Sequence, residues 1–213
     1  MKKEFKQAKD YASEIADELS DERKKAAQAL KIHIVDALKN LNFLDVAFDV
    51  EFNYSKMLTS NGKDSAVFLI STNPGEDLKP LSKIASGGEL SRIMLAIKTV
   101  IAAQDDIDTL VFDEIDAGIS GKTAQMVAGQ LKKLSQSHQI ICITHLPQIA
   151  SMADTHFLIE KSASDNKTTT HIYSLNEKDS INELARMLGG AKITEAVVAN
   201  AAELKLASKN TKI

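Results

Sequence analysis

Apolar residues in the first 41 positions recur at spacings of three and four. Phe5, Ala8, Ala12, Ile15 and Leu19 form one stripe, and Ala26, Leu30, Ile34, Leu38 and Leu41 continue it, with Lys, Glu and Asp filling most positions between. Positions three and four apart share one side of an α-helix. With no Gly or Pro to interrupt it, the spacing predicts one long helix of coiled-coil type. Its second half fits equally well a helix lying along its own domain.

At Leu44 the period falls to two. Leu44, Val46, Phe48, Val50 and Phe52 alternate with Asp45, Ala47, Asp49, Glu51 and Asn53, the pattern of a half-buried strand. Asn61-Gly62 predicts a turn, Ser65 to Ser71 the returning strand, and Thr72-Asn-Pro-Gly-Glu76 a loop that ends it. From Ser86 onward helices and strands alternate. A helix starts near Gly88 with Leu90, Ile93, Met94, Ile97, Val100 and Ile101 on one face. The strand Thr109 to Asp113 follows, then a helix from Gly121 to Leu134 and an apolar strand from Gln139 to Thr144. Continuously apolar strands between amphipathic helices predict an α/β fold whose parallel sheet is covered on both faces. Thr155–Glu160 and Thr168–Leu175 predict an edge hairpin with Lys161 to Lys167 as its exposed turn. Two helices, 178–188 and 193–208, close the chain around Gly189-Gly190.

Composition changes this picture little. The chain has 213 residues, 44% hydrophobic and 26% charged, which suits a folded globular protein. A net charge of −3 gives no overall basic signature for nucleic acid, and the scattered lysines place no DNA contact. The single cysteine, Cys142, sits in an apolar run and reads as a buried structural thiol. No run of about 18 apolar residues crosses a membrane, and the N-terminus lacks a signal-peptide core, so a cytoplasmic location is expected.

Three short segments carry candidate chemistry. The apolar strand Leu110-Val-Phe ends in Asp113-Glu114. In open α/β sheets ligands bind at the C-terminal ends of strands, and strand geometry sends neighbouring side chains to opposite faces. One of these acids is suited to hold Mg²⁺, the other to orient and deprotonate an attacking water. Ser86-Gly-Gly-Glu89 stands at the mouth of a helix, where glycines admit a close anion and free N–H groups meet it; the same residues also suit a simple helix start. Ile143-Thr-His145 ends the next apolar strand, at the same sheet edge as Asp113 and Glu114, where a histidine can donate to a phosphate oxygen or hold the attacking water. The stretch Asp116-Ala-Gly-Ile-Ser-Gly-Lys-Thr123 nearly matches the phosphate-binding loop Gly-x-x-x-x-Gly-Lys-[Ser/Thr] but has Asp116 where the first glycine is required. No other segment comes closer.

The order Ser-Gly-Gly-Glu, apolar-Asp-Glu, Thr-His resembles the C-terminal lobe of an ABC ATPase head, and the glutamate in the signature points to the SMC-like branch. Thr72-Asn-Pro-Gly-Glu76, Lys79-Pro-Leu-Ser-Lys-Ile-Ala-Ser-Gly-Gly-Glu-Leu-Ser-Arg92, Asp113-Glu-Ile-Asp-Ala-Gly-Ile-Ser-Gly121, Thr144-His-Leu-Pro-Gln148 and Glu183-Leu-Ala-Arg-Met-Leu-Gly-Gly190 resemble the RecN family of bacterial DNA repair ATPases. The resemblance implies residues 1–41 as the end of a coiled coil leading into the head and 42–213 as the C-terminal lobe. It implies a partner lobe, N-terminal in the whole protein, that carries the Walker A loop, and a second head that closes with the first around ATP and Mg²⁺. It assigns Asp113 to magnesium, Glu114 to general-base catalysis and His145 to the switch histidine. Ser86, Gly87, Gly88 and Glu89 become the signature motif that meets ATP on the opposite head, and Asp116 part of a loop crossing the dimer. The implied function is ATP hydrolysis coupled to recombinational repair of DNA double-strand breaks in the nucleoid, with the isolated chain inactive for lack of Walker A. The alternatives are another SMC-like chromosome-organising head and a non-catalytic module that tethers DNA.

Overall fold

The computed structural model describes residues 1–164, 167–190 and 192–210. The chain divides into two compact units, Met1–Ala103 and Gln104–Ile213. The C-terminal half of the first helix is packed into the first unit.

That helix, α1 (Lys2–Lys39), is followed by the antiparallel hairpin β1 (Ala47–Thr59) and β2 (Gly62–Ser71), the short β3 (Lys79–Pro80) paired to β2, and α2 (Gly87–Ile101). α1 packs against β1, β2 and α2. Ile34 and Leu38 are fully buried, whereas Phe5 is 73% and Ile15 46% exposed. The buried positions farther up the helix are small, Ala16, Ser20 and Ala27. The apolar stripe read from the sequence is therefore two surfaces. Its second half joins the core with Leu41, Phe48, Ile70, Ile93 and Leu95, and its first half stays exposed. Ion pairs Arg23–Asp64, Lys63–Asp17 and Lys31–Asp49 tie the hairpin to the helix. Gly62, with φ +93°, makes the predicted turn, and a Cβ there would lie 3.2 Å from a Leu19 methyl. β1 begins at Ala47 rather than Leu44, which is 75% exposed.

The second unit contains β4 (Thr109–Phe112), α3 (Gly121–Leu134), β5 (Gln139–Cys142), α4 (Pro147–Ala150), β6 (His156–Ser164), β7 (Lys167–Leu175), α5 (Glu177–Gly189) and α6 (Glu195–Asn210). β4 and β5 pair in parallel, from Thr109 opposite Gln139 to Phe112 opposite Cys142. The expectation of a sheet covered on both faces is corrected here. Leu110 and Phe112 are buried on one face, but Val111, Ile141 and Ile143 on the other are 64%, 48% and 49% exposed. β6 and β7 form a separate antiparallel pair, so the hairpin is not hydrogen-bonded to β5 among the described residues. Its strands run further than predicted, through Ser164 and from Lys167, and the Asp165-Asn166 part of the expected turn lies outside the described residues. α5 and α6 close around Leu184, Ala185, Ala150 and Ala201.

Candidate nucleotide site

In the second unit the chemistry follows the C-terminal ends of the two parallel strands. β4 ends at Phe112, so Asp113 and Glu114 stand in the turn beyond it rather than on the pleat. The opposite-face argument drawn from strand alternation is thereby corrected. The two carboxylates are separated instead by a backbone reversal, since Glu114 has φ +56°. A left-handed conformation at a residue other than Gly costs on the order of 1 kcal/mol or more and persists only where neighbours hold it. Here Asp113 Oδ1 accepts the Glu114 N–H at 2.9 Å, and the Glu114 carbonyl accepts the Ala117 N–H at 3.0 Å. Both acidic side chains are exposed.

Asp116 is different. It is only 3% exposed, and a single carboxylate oxygen, Oδ2, receives the Thr144 hydroxyl at 2.5 Å and the His145 backbone N–H at 2.8 Å. The same oxygen lies 3.0 Å from His145 Nδ1. Asp116 is directed inward, onto the segment after β5. The His145 ring itself is 73% exposed. Thr144 Oγ1 also accepts the Leu146 N–H at 3.0 Å, which fixes its own proton toward Asp116. Thr144 is the participant that sequence reading passed over. A hydroxyl residue beside the histidine of a strand-end motif was the available signal.

Cys142, at the end of β5, is half-buried, and its thiol is pushed up to about 12 by burial first and by the negative charges of Asp116 and Asp113 second. It stays protonated at neutral pH, as the structural reading expected.

In the first unit Ser86 caps α2. Its hydroxyl accepts the Glu89 N–H at 3.4 Å, and the Leu90 N–H reaches the Ser86 carbonyl at 3.0 Å. The helix-start reading is thus realised. The cap bond is long, and Ser86 and Gly87 are exposed at the mouth of the helix while Gly88 is buried and Glu89 half-buried. The first N–H groups of any helix lack partners within it, and its N-terminal end carries partial positive charge. Arg92, two turns on, places its guanidinium 5.9 Å from the centre of the Phe43 ring.

The exposed Asp113 fits magnesium as that ion is usually held beside phosphates, through one or two carboxylates with water and substrate oxygens completing the shell. No cluster of three or more metal-binding side chains exists among the described residues, which excludes there a cage built wholly from protein. A cavity of about 420 Å³ lies elsewhere in the second unit, lined by Lys132, His156, Glu177 and Lys205, and none of the expected site residues reaches it. No helix among the described residues is long and apolar enough to cross a membrane.

A capped glycine-rich helix mouth, a strand ending in paired carboxylates and a histidine after the neighbouring parallel strand stand in the order expected of the C-terminal portion of an SMC-like ATPase head. The fold agrees. The Smc head domain of Pyrococcus yayanosii superimposes with a TM-score of 0.60 over 86% of this chain and 34% of that one, at 21% identity. In sequence the chain is a relative of the DNA repair protein RecN. It is 43% identical to RecN of Bacillus subtilis over 211 residues, 42% identical to that of Haemophilus influenzae over 200, and 42% identical to that of Treponema pallidum over 192. These matches cover 92%, 93% and 87% of the chain but only 36%, 36% and 34% of the relatives, so the chain spans about a third of their length. No protein-family model matches it.

Proposed function

We propose that this chain is the catalytic C-terminal half of an ATP-hydrolysing head that pairs with a second head around ATP and serves DNA double-strand break repair. The observation that carries the reading is the pair Asp113-Glu114, exposed and held in a locked turn at the C-terminal end of β4, with His145 after the adjoining strand. Phosphoryl transfer to water needs positioning, charge neutralisation and a base, with little covalent participation by the protein. Magnesium bound near Asp113 would neutralise charge on the phosphates. Glu114 accepts one proton from the attacking water as its oxygen bonds to the γ-phosphorus. The bond from that phosphorus to the β–γ bridging oxygen breaks, releasing ADP and inorganic phosphate. Within the signature Ser86-Gly87-Gly88-Glu89, Ser86 and Gly88 meet the γ-phosphate of ATP held by the opposite head.

No segment of the sequence matches the Walker A pattern, and its nearest approach, 116–123, has an inward-bound Asp116 at the first glycine position. A second lobe bearing the Walker A loop supplies it. The bare apolar face of Val111, Ile141 and Ile143 supports the existence of such a cover. Steady-state assays test the proposal. Phosphate release is expected from the chain co-expressed with that lobe and not from the chain alone; equal rates with and without the lobe would overturn it.

A further inference from the structure

We infer that the cavity lined by α3, α5, α6 and the start of β6 is a binding site for a phosphate group, anchored by the buried ammonium of Lys205. It stands apart from the hydrolytic reading, since Ser86, Asp113, Glu114 and His145 do not line it. Its volume of about 420 Å³ is that of a small-ligand pocket. Lys205, on α6, is 8% exposed. Its Nζ donates to the Ser151 carbonyl at 3.2 Å and the Ala153 carbonyl at 2.8 Å, which uses two of the three ammonium protons. The two carboxylates lining the cavity are engaged elsewhere, Asp154 with Lys132 at 2.6 Å and Glu177 with Lys209 at 2.5 Å. Burying a charge is costly unless an opposite charge compensates it, and two carbonyl dipoles do not.

Three lysines (132, 205 and 209) against two carboxylates (154 and 177) leave an excess of one positive charge on the lining. The carboxylates stand at the rim, with side chains 79% and 67% exposed, so the excess lies at the floor with Lys205. His156 joins it there, its Nδ1 2.9 Å from the Ser180 hydroxyl. Burial first and the Lys205 charge second hold His156 below its usual pKa, and burial first and the Lys209 charge second do the same to Lys205. Both effects describe cations crowded together without an anion between them. Exposed ion pairs contribute little, so Lys132 and Lys209 turn from the rim acids to an entering anion at small cost. Three ammonium groups outnumber the two oxygens of a carboxylate and suit the several acceptor oxygens of phosphate. The rim acids repel the larger charge of an ATP triphosphate. The phosphate is either free or the terminal phosphate of a DNA strand.

Titration of the chain with inorganic phosphate, followed by calorimetry or phosphorus NMR, tests the inference. Saturable binding is expected with a Kd of about 1 mM, the scale of a ligand of so few atoms. Lys205→Met keeps the length of the side chain without its charge and is expected to weaken binding at least about tenfold. Glu177→Gln alters an exposed residue, releases Lys209 and removes a rim charge, and is expected to tighten binding about threefold. Should Lys205→Met not fold, Glu177→Gln decides alone, and unchanged or weaker binding in it would overturn the inference. So would the absence of saturable binding to both inorganic phosphate and a 5′-phosphorylated oligonucleotide. The same oligonucleotide with a 5′-hydroxyl separates the two sources. A preference for the phosphorylated strand, lost in Lys205→Met, identifies a DNA terminus, and equal binding of the two strands identifies free phosphate.

Discussion

Glu114→Gln in a head completed by the Walker A lobe is expected to lower kcat by about a thousandfold while leaving ATP binding and head pairing intact. A positioned general base contributes typically 10²–10⁴-fold, and glutamine keeps the shape of the side chain without its basicity. The substitution should be silent for folding. Glu114 is exposed, and what holds its φ of +56° is backbone: its own N–H on Asp113 Oδ1 and its carbonyl on the Ala117 N–H. Single-turnover hydrolysis and size measurement with ATP separate the two effects. The expected outcome is a long-lived ATP-bound pair that does not turn over. Unchanged kcat would remove Glu114 from catalysis.

The second large effect is expected at Ser86. Replacing it with alanine would mix two losses, because the residue also caps α2. Ser86→Asp separates them. Aspartate caps a helix as well as serine does, and its charge suits the N-terminal end of the dipole. The same charge repels a γ-phosphate presented by another head. Thermal stability is therefore expected to hold or rise slightly. ATP-induced pairing of completed heads should weaken by about 100-fold, the loss of one charge-assisted hydrogen bond worth about 1.5–3 kcal/mol. Pairing that survives Ser86→Asp would show that the helix mouth does not face nucleotide.

The alternation of Val46 to Phe52 and the turn at Asn61-Gly62 announced the first hairpin, because each is written in local residue chemistry. The helices 121–134 and 178–188 were legible for the same reason, their apolar residues falling on one side. What the sequence could not reveal depends on what lies across from a segment. Phe5 and Ile34 belong to one apolar stripe, yet Phe5 is open and Ile34 buried, since only the latter meets β1, β2 and α2. Val111 and Ile141 read as doubly covered strand residues, yet both are exposed. The candidate site divides similarly. Asp113, Glu114 and His145 were visible as strand-end polar residues after apolar runs. The inward turn of Asp116 and the part taken by Thr144 arise from a contact between residues far apart in sequence.

The central claim is that this chain is half of a nucleotide site, and equilibrium titration with ATP and Mg²⁺ tests it most directly. The chain alone is expected to show no saturable binding, and the chain joined to the Walker A lobe to bind ATP at micromolar concentrations. Saturable ATP binding by the chain alone would contradict the account and turn attention back to the loop from Asp116 to Thr123.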